Sequence, residues 1–162
     1  MAVTRRPLPH SPARVFAALA TPETYPLWLV GCQEIREVED GWPAPGARFH
    51  HRVGLLWALT VADSTKVLEI DEPSRLVLEV RTRPLGRGRV TFSLETAGDG
   101  TTILTLDEVP IGTLGPLRPL IDPVTARRNE RSLARLADYL EADRAMAGLV
   151  QSSGSGLSHP GY

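Results

Sequence analysis

The sequence predicts an α+β domain in which a curved antiparallel sheet of seven strands closes around one long C-terminal helix. Three observations carry this. After Gly31 the apolar residues recur with a period of two, whereas from about 120 to 145 they recur with a helical period. The breaks between successive strands are short turns, which forces neighbouring strands to run antiparallel. The 162 residues, 42% hydrophobic and 23% charged, suit one domain with a sizeable core.

Residues 2–8 (AVTRRPL) read as a short strand, confined to a sheet edge by its arginines and Pro7. Ser11-Pro12 then opens a helix: the serine hydroxyl caps a free N–H, and proline at the first helical position loses no bond. In the ARVFAALA that follows, Val15, Phe16 and Leu19 form the apolar stripe. Thr21-Pro22 repeats the start signal for a second short helix through PETYPLWL, weakened by Pro26.

Six strands are expected near 32–39, 46–54, 57–70, 75–83, 87–96 and 101–109, although parity alone does not fix the register of 63–70. The punctuation is turn chemistry: Gly41 with Pro43 and Pro45, Asp71-Glu72-Pro73-Ser74, Pro84 with Gly86 and Gly88, and Gly98-Asp99-Gly100. Gly54-Leu55-Leu56 reads as the turn of another hairpin. After the loop PIGTLGPLRP, Val124, Leu133, Leu136, Ala137 and Leu140 approximate one stripe of the last helix. From Gly148 the chain reads as a flexible tail. The domain is thus expected over 1–146 and the tail over 147–162.

A strongly twisted sheet curls around whatever covers its apolar face, and only the final helix is long enough to do so. A curved sheet and a straight helix mismatch in shape, which leaves a concave apolar space of the kind that takes small ligands. The element order, with SPARVFAALATPETYPLWLVG, PAPGARF, TKVLEIDEPSRLVLEV, DGTTILTLDE and ARRNERSLARLADYLE, resembles the SRPBCC superfamily over about residues 3–143. This is the START-like, Bet v 1-like helix-grip group, which includes proteins called polyketide cyclase/dehydrase and lipid-transport proteins. The resemblance implies a fold and a pocket and supplies no reaction, since members include carriers, sensors and cyclases.

Alternation assigns the pocket wall. Phe49, His51 and Val53 share one face of their strand, and Arg48, His50 and Arg52 the other. The same parity turns Leu78 and Val80, Phe92 and Leu94, and Leu104 and Leu106 inward, and carries Glu108 to the cavity end. Trp28, Trp57, Leu59, Asn129 and Leu133 complete the expected ligand-binding set. Trp57 beside the apolar hairpin tip suits either a lip over the entrance or a contact with a neighbouring loop or second subunit, a homodimer partner. His51 reads first as a hydrogen-bonded histidine of the pocket wall and second as a general base. Glu108 reads first as a rim carboxylate or a partner of Arg127 or Arg128, and second as a proton shuttle. Asn129 is expected near the solvent edge of its helix, and Arg128, Arg131 and Arg135 as a solvated strip. Arg81, Arg83, Arg87 and Arg89 crowd one hairpin and give weak support for an anionic partner.

Other chemistries find no footing. His50 and His51 point to opposite faces, the remaining histidines lie near the ends, and Cys32 is the one cysteine, so neither a zinc site nor an internal disulfide is expected. There is no GxSxG elbow, Walker loop, CxxC pair or dinucleotide fingerprint, so no cofactor is expected. A net charge of −1 without a basic block gives nucleic acid no foothold. The N-terminus lacks a secretory pattern and the most apolar stretch, 53–62, is too short to span a bilayer, so the expected location is cytoplasmic. The expected function is binding or carriage of a small hydrophobic molecule: a lipid, polyketide or aromatic metabolite. The alternatives are a cyclase/aromatase or dehydratase using His51 and Glu108, and a protein-interaction module.

Overall fold

The structure, a computed structural model, describes residues 2–56, 59–82, 86–112 and 118–154. The chain begins with strand β1 (Ala2–Leu8), helix α1 (Pro12–Ala20), a 3₁₀ turn (Pro22–Thr24) and the one-turn helix α2 (Tyr25–Trp28). Strands β2 (Cys32–Val38), β3 (Arg48–Leu56), β4 (Leu59–Asp71), β5 (Arg75–Thr82), β6 (Gly86–Ala97) and β7 (Thr101–Ile111) follow, and helix α3 (Arg118–Gly154) ends the order.

The seven strands make one antiparallel sheet in the order β1-β7-β6-β5-β4-β3-β2. β1 lies at one edge, so Pro7, which has no N–H to donate, is accommodated there. Register shifts interrupt β2 twice, β3 between Gly54 and Leu56, and β4 between Val67 and Glu69. Each irregularity adds twist and bends its strand, and together they curl this half of the sheet.

Local rules place the short helices as expected. The Ser11 hydroxyl accepts from the Arg14 N–H at 3.4 Å, with Pro12 in the first turn of α1. Pro26 falls in the first turn of α2, where it costs little, and Gly31 turns the chain into β2 with a φ of +97°, open to glycine without strain. Val15, Phe16 and Leu19 are buried in the same core as Phe49, Leu76, Leu78, Phe92, Leu104, Leu106, Leu133, Leu136 and Leu140.

Three expectations are corrected. Gly54-Leu55-Leu56 belongs to β3, with Gly54 opposite Thr60 and Leu56 opposite Leu59, so strand pairing continues through the presumed turn. Trp57, the side chain of Leu59 and Arg83 lie outside the described residues. The stripe of α3 runs through Asn129, Ser132, Leu133, Leu136 and Leu140, and Val124 is 72% exposed. Finally, α3 continues to Gly154, well past 145 and through the first half of the expected tail. Its residues from Glu141 to Gln151 are all exposed, and good helix formers there outweigh the roughly 1 kcal/mol cost of Gly148. His10 Nε2 lies 3.0 Å from Glu141 Oε1 and the Arg14 guanidinium donates to Asp143 at 2.6 Å, so the helix is tied to the α1 region just where its burial ends.

Candidate functional site

Between the concave face of the sheet and α3 lies a void of about 90 Å³. Its apolar wall includes Tyr25 from α2, Phe49 and Val53 from β3, Leu78 and Val80 from β5, and Phe92 from β6. Strand alternation places them: Phe49 stands across from Thr65, Thr65 from Val80, and Val67 from Leu78. This size is below the roughly 300 Å³ at which pockets for drug-sized molecules begin, so a larger guest must displace wall side chains.

One polar feature of the wall is a closed cluster. The Arg128 guanidinium and the Asn129 amide both donate to Glu108 Oε2, the amide at 3.1 Å, and Arg128 also donates to Asn129 Oδ1. Asn129 is 1% exposed, which corrects its expected place at the solvent edge: a buried amide needs partners, and Glu108 on β7 supplies one. Arg128 keeps part of its expected solvated place, its side chain 41% exposed, while its guanidinium reaches the carboxylate. The pairing of Glu108 with Arg128, one of two arginines expected, is observed.

The second polar feature is His51, 3% exposed, whose Nδ1 meets no hydrogen-bond partner of good geometry among the described residues. Burial holds its pKa down to about 4, His50 adds to this, and the Phe49 backbone opposes it. The ring is therefore neutral at physiological pH. Buried Thr65 also lines the void, and buried Asp63 faces His51 directly in the β3–β4 register. The Tyr25 hydroxyl donates to Leu19 O at 2.7 Å, and burial, with Cys32 adding, pushes its pKa far up. Burial also pushes the Cys32 thiol up to about 11, so it stays protonated and is a poor nucleophile.

Of the expected site residues, Phe49, His51, Val53, Leu78 and Val80 meet at the void, as do Phe92, Leu106, Glu108 and Asn129. Trp28, Leu94, Leu104 and Leu133 are buried core residues that do not border it. Trp28 instead donates its Nε1–H to Thr24 at 3.0 Å and packs against Tyr25 and Phe92. The expected ligand-binding set lacked Tyr25, Leu29, Val30, Gly31, Cys32 and Thr65, and Arg128 was expected only as a partner of Glu108. Thr65 was legible in principle, two residues before inward Val67, once the register of its strand is known.

His51 also borders a second, solvent-facing hollow of about 380 Å³ on the opposite side of the sheet. Among the described residues no group of three or more His, Cys, Asp or Glu side chains is placed to hold a metal ion, and no helix is long and apolar enough to cross a membrane.

The family described as polyketide cyclase / dehydrase and lipid transport matches residues 2–141. No curated protein matches the chain. Among solved structures the chain is similar to protein NE0264 from Nitrosomonas europaea, with a TM-score of 0.71 at 18% identity over 88% of this chain and 95% of that one. It is similar to Ara h 8.0201, with a TM-score of 0.67 at 19% identity over 86% and 96%. CalU16 from Micromonospora echinospora gives 0.61 at 16% identity over 94% and 83%. At such identities these structures speak to the fold alone, which is Bet v 1-like. Family and fold together support a role in binding hydrophobic ligands. With its helix-grip architecture and a family match over residues 2–141, the chain belongs to the polyketide cyclase/dehydrase and lipid transport family of the SRPBCC superfamily.

Proposed function

We propose that the chain binds or carries a small hydrophobic molecule, a lipid, polyketide or aromatic metabolite, in the void between the sheet and α3. The observation that supports this most is the void itself: aromatic and aliphatic walls from α2, β3, β5 and β6, with a few polar groups at defined places. His51, neutral and buried, and the Arg128–Glu108–Asn129 cluster are suited to orienting a polar end of an otherwise apolar guest.

The cyclase or dehydratase alternative requires a proton donor and a base at the same guest. Glu108 is already engaged as an acceptor by two donors, and the Tyr25 hydroxyl is spent on Leu19 O. Carriage therefore fits the geometry better than turnover.

Native mass spectrometry of freshly purified protein, followed by NMR titration with toluene and indole, tests the reading. The expected result is a retained small molecule, or saturable shifts at Phe49, Leu78 and Phe92 that are lost in Leu78→Trp, which fills the void. Absence of both in a folded wild type overturns it.

A further inference from the structure

We infer that the solvent-facing hollow on the outer face of β2–β5 is a binding site for a phosphate-type oxyanion. Side chains from four neighbouring strands build it. Glu37 of β2 pairs with His50 of β3, and His50 with Ser64 of β4. Thr65 pairs with Val80, which sets Arg81 of β5 beside Ser64. Arg36 stands in the bulge between Ile35 and Glu37, and Arg48 shares the face of His50 two residues away. These residues line one concavity of about 380 Å³. Two further lining residues, His51 and Asp63, are buried on the inner face, which leaves Glu37 as the outward carboxylate of the lining.

Ion pairing separates this cluster from an ordinary charged surface. β2 to β5 carry five described arginines. The two that lie outside the hollow are paired, Arg52 with Glu34 at 3.6 Å and Arg75 with Glu69 at 3.4 Å. The three that line it, Arg36, Arg48 and Arg81, have no ion pair among the described residues. Planar guanidinium forks recognise phosphate oxygens bidentately, and three arginines lining one hollow together with Ser64 match an anion with several oxygens. The same chemistry belongs to a soluble phosphorylated molecule and to a phospholipid headgroup. The site stands apart from whatever fills the inner void.

The full chain is titrated with inorganic pyrophosphate at low ionic strength and followed by amide NMR. Saturable shifts centred on Arg36, Arg48, His50, Ser64 and Arg81 are expected. Arg48→Gln combined with Arg81→Gln is expected to weaken binding at least about tenfold, each lost charge-assisted contact being a substantial share of the affinity. Arg52→Gln combined with Arg75→Gln removes the same charge and is expected to leave affinity within about twofold. In parallel, co-sedimentation compares phosphatidylcholine vesicles with and without phosphatidylglycerol. Pyrophosphate binding alone supports a soluble phosphorylated ligand. Vesicle binding lost in the Arg48/Arg81 variant supports a headgroup. If neither probe binds the wild type, or both double variants weaken binding equally, the site is overturned.

Discussion

His50 and His51 are neighbours in sequence and occupy different worlds. One stands on the outer face, half-buried beside Glu39 at 3.8 Å; the other is sealed inside and held neutral. The same split runs through β3: Phe49 and Val53 border an apolar void, Arg48 and His50 a basic hollow, and His51 lines both. The difference teaches that a period of two lets one short segment serve two chemistries, with backbone hydrogen bonds as the partition.

Substitutions on the two faces should therefore differ in kind. The largest effect is expected from Phe49→Ala, which removes ring contacts to Tyr25 at 5.1 Å and Trp42 at 5.0 Å. Urea denaturation should show a loss of about 3–5 kcal/mol. A loss under 1 kcal/mol would mean that the inner face is not the core. His51→Leu comes next and acts through pH. Because the folded pKa is near 4 and the unfolded one near 6.5, the unfolded chain binds the extra proton between them. His51 thus costs nothing above pH 6.5 and up to roughly 3 kcal/mol by pH 4. Stability of the leucine variant, measured from pH 7 to 4, should fall less steeply than that of the wild type by up to that amount.

Asn129→Ala is smaller, about 1–3 kcal/mol, since it takes one buried donor from Glu108 and leaves the carboxylate with Arg128. A neutral outcome would show that the cluster is held by the arginine alone. Smallest is Arg48→Gln on the outer face, expected within about 0.5 kcal/mol in the same denaturation assay. A larger loss there would erase the contrast between the faces.

The order of elements was legible in the sequence because Ser11-Pro12, Thr21-Pro22 and the turn clusters are local signals whose physics needs no tertiary context. The inward sets of β5, β6 and β7 were legible because the ladders that join these three strands to one another are uninterrupted. β4 was not, since the register shift between Val67 and Glu69 breaks the alternation: Asp63, Thr65 and Val67 are buried, and Ile70, out of step with them, is the next to pack against the core. Asn129 was misread because its partner sits 21 residues away on β7, and nothing local declares that a polar side chain has found one. The length of α3 was misjudged for the opposite reason: a single glycine and an apolar-poor stretch look like a tail, yet helix propensity alone carries the segment.

Since the residue His51 lines both concavities, its ring is an internal witness to each. An anion settling on the solvent side would ease its protonation, whereas an apolar guest entering beneath α3 would strip away residual water and make protonation harder. Followed by NMR around pH 4, opposite displacements of that ring's titration midpoint would thus tell the two compartments apart with no added label.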